Sequence, residues 1–144
     1  MKAETLINTL KEQTVKNLEE AKYFKDLPEA ELNRKASAES WSALECFEHL
    51  NRYGDFYSPE IGKRIERSSH KSTGTFKSGF LGNYFTSSMM PKEKLNKMKT
   101  FKSMNPINSK LDKRVLDKFI RQQEQMLELL TKAKNADLTK TKTA

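Results

Sequence analysis

Apolar residues recur every three to four positions over three long stretches of this chain, a period that calls for helices packed on one another. Over 3–25 the stripe is Leu6, Ile7, Leu10, Leu18, Ala21 and Phe24, with no Gly or Pro to interrupt it. Over 42–67 there are two adjoining faces. One carries Leu44, Phe47, Leu50, Gly54, Tyr57 and Ile61, the other Cys46, His49, Tyr53 and Phe56. Over 111–134 the stripe is Leu111, Val115, Leu116, Phe119, Ile120, Met126, Leu127 and Leu130. The expected fold is therefore all-α.

Local signals set the boundaries. Asp26-Leu27-Pro28 stops the first helix, because proline disfavours helical backbone in the residue before it, and Pro28 can open a short helix through Leu32. Ser42-Ala43-Leu44-Glu45 has the capping-box spacing, with Trp41 placed to staple onto Cys46 one turn inside. Pro59 should kink or break the second long helix. Residues 68–79 read as loop. The run Phe80 to Phe85 reads as a short helical element near 80–90, and the lysine-rich stretch 91–109, with Pro91 and Pro106, as a long mobile connector. Residues 1–135 are expected to form a single helical domain, and the polar ending 136–144 a disordered tail.

Composition narrows the function. One Cys and two His cannot build a four-ligand Cys/His zinc site or a disulfide framework. The apolar runs fall far short of the ~20 residues that cross a bilayer, so a cytoplasmic protein with no membrane partner is expected. Charge is uneven: residues 1–62 carry 8 Lys/Arg against 12 Asp/Glu, and residues 63–144 carry 19 against 7. The densest basic stretch runs from Pro91 to Lys118 and includes Lys92, Lys94, Lys97, Lys99 and Lys102. A basic half can attract nucleic acid or an acidic protein. Lysine far outnumbers arginine, however, which disfavours base and phosphate recognition.

One constellation is more informative. Leu32-Asn33, then Trp41-Ser42, then Phe47-Glu48-His49-Leu50 form an "L-N … W-S … E-H-L" series between two amphipathic helices. In order and spacing it resembles the DinB-like superfamily of bacterial helical proteins. The resemblance implies a four-helix bundle in which three histidines hold a divalent metal, nickel or zinc. His49 matches the ligand on the second helix. The other two would form an H-x-x-x-H pair on a final helix. Many members are regarded as metal-dependent hydrolases, and others resemble thiol-dependent transferases. The substrate here is an unidentified small molecule.

This sequence departs from the pattern because no histidine follows Ala133, and His70 in the 68–79 loop matches no family ligand. One of three ligands is present, so the chain is expected either to be shortened relative to the family, with the missing partners coming from a longer native chain or another subunit, or to be a member that has lost the metal chemistry. Other candidates are Glu45 and Tyr53, one turn either side of His49, and Glu124 and Glu128 on the last helix. Cys46, one turn before His49, could be a nucleophile or a small packed residue. With three long helices where the family has four, Leu116, Phe119, Ile120, Met126 and Leu127 are expected to lack cover, so that the chain either forms a homodimer through this face or is only marginally stable. The alternative function is a non-catalytic helical binding module whose basic half meets an acidic protein or nucleic acid.

Overall fold

A computed structural model describes residues 1–94 and 98–143. Among them are five α-helices and no β-strand: α1 (Ala3–Lys25), α2 (Glu29–Leu32), α3 (Ala43–Glu66), α4 (Phe80–Met89) and α5 (Arg114–Lys132). Single 3-10 turns lie at Lys102–Met104 and Ala133–Asn135. Lys97 of the basic stretch and Ala144 of the tail lie outside the described residues.

The three long helices arise where the periodicity places them. The Ser42 hydroxyl accepts from the Glu45 N–H at 3.1 Å, and the Glu45 carboxylate accepts from the Ser42 N–H at 3.0 Å, which starts α3. Pro59 neither breaks nor ends α3, which runs on to Glu66. The last helix starts later than 111. Asp112 takes the Arg114 N–H at 2.9 Å and leaves Leu111 outside the helix, although Leu111 still packs in the core.

α5 is the central helix, and α1 and α3 each pack along it. The core falls into two clusters joined by α5. One is Leu32, Leu44, Val115 and Leu116, flanked by Phe24, Phe47 and Leu111. The other is Ile7, Leu130 and Ala133, flanked by Ile65, Met126 and Leu138. Of the stripe expected to lack cover, Leu116 and Phe119 are buried between neighbours from the same chain, while Ile120, Met126 and Leu127 are half-buried.

A polar layer separates the two clusters where α3 meets α5. Fully buried Asn51 donates from Nδ2 to the Val115 carbonyl at 2.9 Å. Gln122 Nε2 donates to the Asn51 carbonyl at 3.1 Å and to Asp55 Oδ1 at 3.0 Å. Gly54 makes room for this. A Cβ there would meet Gln122 Oε1 and stand 2.6 Å from its Cδ. Overpacking of this kind costs about 1–3 kcal/mol, while alanine's better helix propensity returns at most about 1 kcal/mol. Gly54→Ala is therefore expected to shift urea unfolding to lower denaturant. Gln122→Ala in the same chain should remove most of the penalty attributable to the clash; an additive double mutant would refute the contact.

The polar ending is held in place rather than fraying. Ala136 and Asp137 are buried, the Asp137 N–H donates to the His70 carbonyl at 3.2 Å, and Leu138 packs on the second cluster. Asp137 Oδ1 also accepts the Thr139 N–H at 2.9 Å, a turn closed by its own side chain. Short backbone contacts bring the 68–79 loop against the same end, with isolated bridges pairing Lys2 with Thr75 and Lys71 with Ala136.

Candidate functional site

The candidate site is built on the first three turns of α3. His49 is half-buried there, with its ring centroid 4.9 Å from that of Trp41 and 5.0 Å from that of Tyr53. Trp41 was expected to staple onto Cys46. Its ring lies instead against His49, a turn further along, and Cys46 is exposed. The aromatic row continues down the helix, with Tyr53 and Tyr57 stacked at 6.2 Å and Phe56 edge-on to Tyr57 at 4.9 Å.

A segment expected to be a mobile connector, 91–109, supplies the contact that orients His49. His49 Nδ1 lies 2.9 Å from the Met104 carbonyl oxygen. A carbonyl only accepts, so Nδ1 carries a proton, and in the neutral ring the lone pair is then on Nε2. Among the described residues Nε2 has no hydrogen-bond partner. An imidazole held in this way, one nitrogen donating to a backbone carbonyl and the other free, has the arrangement of a metal-ligating histidine with its supporting acceptor.

The connector is fixed to α3 by two further side chains. Arg52 Nη1 donates to the Asn105 carbonyl at 2.8 Å while its Nε pairs with Glu48 at 3.1 Å. Glu45 Oε2 accepts the Asn108 N–H at 2.7 Å. Asn108 adopts φ 62°, a left-handed conformation that Asn tolerates better than most residues, and this turns its N–H toward Glu45. Pro106 is fully buried beneath the turn. The signal that could have found this contact was present: Asn105-Pro106-Ile107-Asn108 is turn chemistry, and Arg52 lies on the helix close to His49.

Glu45 is committed to structure. Burial alone would raise its carboxyl. The Ser42 and Asn108 N–H groups and the Lys35 ammonium at 3.4 Å outweigh that and hold it below the ordinary value of 4.5. The Cys46 thiol goes the other way, pushed up by loss of water around it and by the Glu45 carboxylate. Cys46 is therefore a protonated thiol, without the lowered pKa that marks a nucleophile.

The other expected ligands do not converge. Glu124 and Glu128 are exposed on α5. His70 lies beyond the far end of α3, about 25 Å along the helix at 1.5 Å per residue. Among the described residues no group of three His, Cys, Asp or Glu could hold a metal ion. His49 alone fits the role of a ligand, and the residues around it do not amount to the three protein ligands that catalytic zinc sites use. The larger cavities also lie away from His49. An apolar cleft of about 300 Å³ is lined by Ile7, Leu10, Ile61, Met126, Leu130 and Leu138. A basic one of about 360 Å³ lies at the C-terminal end of α3, with Lys63, Arg67, Lys140 and Lys142.

No curated protein and no solved structure matches the chain. A family model does: that of the DinB superfamily matches residues 12–144. The match takes in α3 with its Trp41-Ser42 entry and His49, the connector that supports His49, and the whole of α5. It agrees with the all-α arrangement of the long helices, and the chain belongs to the DinB superfamily.

Proposed function

We propose that the chain descends from metal-dependent hydrolases or thiol-dependent transferases of its superfamily and that His49 is one ligand of a divalent ion, nickel or zinc. The observation that carries this reading is the donation from Nδ1 to the Met104 carbonyl, which in the neutral ring places the lone pair on Nε2, where it can serve a metal. The Trp41 and Tyr53 rings pack against the imidazole and restrict its rotation. The remaining ligands would come from another subunit. When bound, such an ion would activate water or a thiol by lowering its pKa.

The test is metal content together with melting temperature, measured on the chain and on His49→Ala. Stoichiometric nickel or zinc, a rise in melting temperature on adding the ion, and loss of both in His49→Ala are expected. Metal that persists in His49→Ala would sink the assignment.

The incomplete ligand set favours a second reading, a helical binding module without catalysis. Its basic half would contact an acidic protein, with nucleic acid disfavoured by the scarcity of arginine. Binding of that kind weakens steeply with salt and is indifferent to His49.

A further inference from the structure

α4 is the least explained element of the fold. It buries none of its residues and contributes to neither core cluster. Phe80 is 91% exposed, and Leu81, Tyr84, Phe85 and Met89 are exposed with it. At 100° per residue these five side chains fall on one half of the helix circumference, joined only by Ser88. Gly82, Asn83, Thr86 and Ser87 occupy the other half. Single exposed apolar residues are ordinary, but a helix face made almost entirely of them marks a contact surface.

The surroundings identify what covers it. Among the described residues from 77 to 102, Lys77, Lys92, Lys94, Lys99 and Lys102 stand against one acidic residue, Glu93. Two further exposed large apolar side chains, Met98 and Phe101 (75% exposed), alternate with Lys99 and Lys102 in the sequence. A second copy of the chain would bring two such lysine sets together, which like-charge repulsion opposes. The sequence also has no arginine between Arg67 and Arg114. Protein and nucleic-acid interfaces favour arginine, whose planar fork makes bidentate contacts, and protein interfaces are depleted in lysine. An anionic bilayer asks for something different: aromatic and aliphatic side chains that enter the headgroup boundary, and lysine stems that reach the phosphates from around them.

We propose that α4 and its flanking lysines form a reversible docking surface for anionic phospholipid, with Phe80, Leu81, Tyr84, Phe85 and Met89 entering the headgroup boundary. The helix lies on the bilayer and does not cross it, in keeping with the lack of any described helix long and apolar enough to span a membrane. The proposal is independent of any metal at His49.

The test incubates the full chain with vesicles of phosphatidylcholine and phosphatidylglycerol in equal parts, and with vesicles of phosphatidylcholine alone. Cosedimentation with the anionic vesicles is expected, falling as salt is raised, with little on the neutral ones. Phe80→Ser with Phe85→Ser should lower partitioning about tenfold or more, from the apolar burial lost. Lys92→Gln, Lys94→Gln and Lys99→Gln should each lower it about fivefold. The Phe variant should melt like the parent, since neither side chain belongs to the core. Three results would overturn the proposal: no vesicle binding in a monomeric chain, no vesicle binding but a dimer that the Phe variant abolishes, or anionic binding that the Phe variant leaves unchanged.

Discussion

Leu116→Ala is expected to destabilise the bundle by about 2–5 kcal/mol, the range for emptying a large aliphatic side chain from a packed core. Leu116 is fully buried where α5 meets α3 and α2, against Leu32, Leu44 and Val115. Its loss weighs heavily because the core is lean. Four of the buried apolar residues, Ala3, Ala21, Ala133 and Ala136, are alanines and contribute little area each. A few large side chains therefore supply most of the burial, in a class of proteins whose total stability is about 5–15 kcal/mol. Urea unfolding should show a lower midpoint with an unchanged slope. A loss below about 1 kcal/mol would mean that this cluster is not part of the cooperative core, since well-packed sites cannot collapse around a missing isobutyl group so cheaply.

The same contrast between carried and uncarried apolar residues explains what could be read from the sequence. The long helices were legible because each has an apolar stripe of helical period, and α3 announces its start with Ser42 and Glu45. The all-α class and the superfamily followed from those stripes and from Trp41-Ser42 and His49. Periodicity does not say which helix is central. Three stripes alone do not show that α5 takes α1 on one flank and α3 on another.

The connector was misread for a different reason. Residues 102–109 have no periodic apolar pattern, because they are held by hydrogen bonds from side chains on α3: His49 to Met104, Arg52 to Asn105 and Glu45 to Asn108. Contacts between a helix and backbone some sixty positions away leave no trace in local spacing. The tail was misread likewise, since one buried aspartate, Asp137, and a loop carbonyl at His70 are enough to hold it. At the site, His49 could be singled out from its neighbours in sequence, but its tautomer could not, because the acceptor that sets it is a main-chain atom.

Glu45 connects these two parts of the argument. Its carboxylate accepts the Ser42 N–H that opens α3 and the Asn108 N–H that seats the connector, with the Lys35 ammonium beside it. In Glu45→Gln one of those N–H groups faces an amide NH₂, leaving a buried donor unsatisfied. The expected loss is about 2–3 kcal/mol, in line with losing hydrogen bonds to a charged acceptor. The connector should loosen with it. His49 would then no longer donate to Met104, and nitrogen chemical shifts should report a mixture of tautomers where the parent holds its proton on Nδ1.

The pH dependence has a definite sign. The folded carboxyl titrates below the ordinary value of 4.5, so its contribution is complete above that value and is lost as pH falls through the folded pKa. The gap in stability between the parent and Glu45→Gln should be constant near neutrality and narrow on acidification below 4.5. A gap that held its size down to low pH would show that Glu45 contributes through packing, with the ionised carboxylate making no difference. A stability loss with the His49 tautomer unchanged would separate the helix cap from the connector and remove Glu45 from the support of the site.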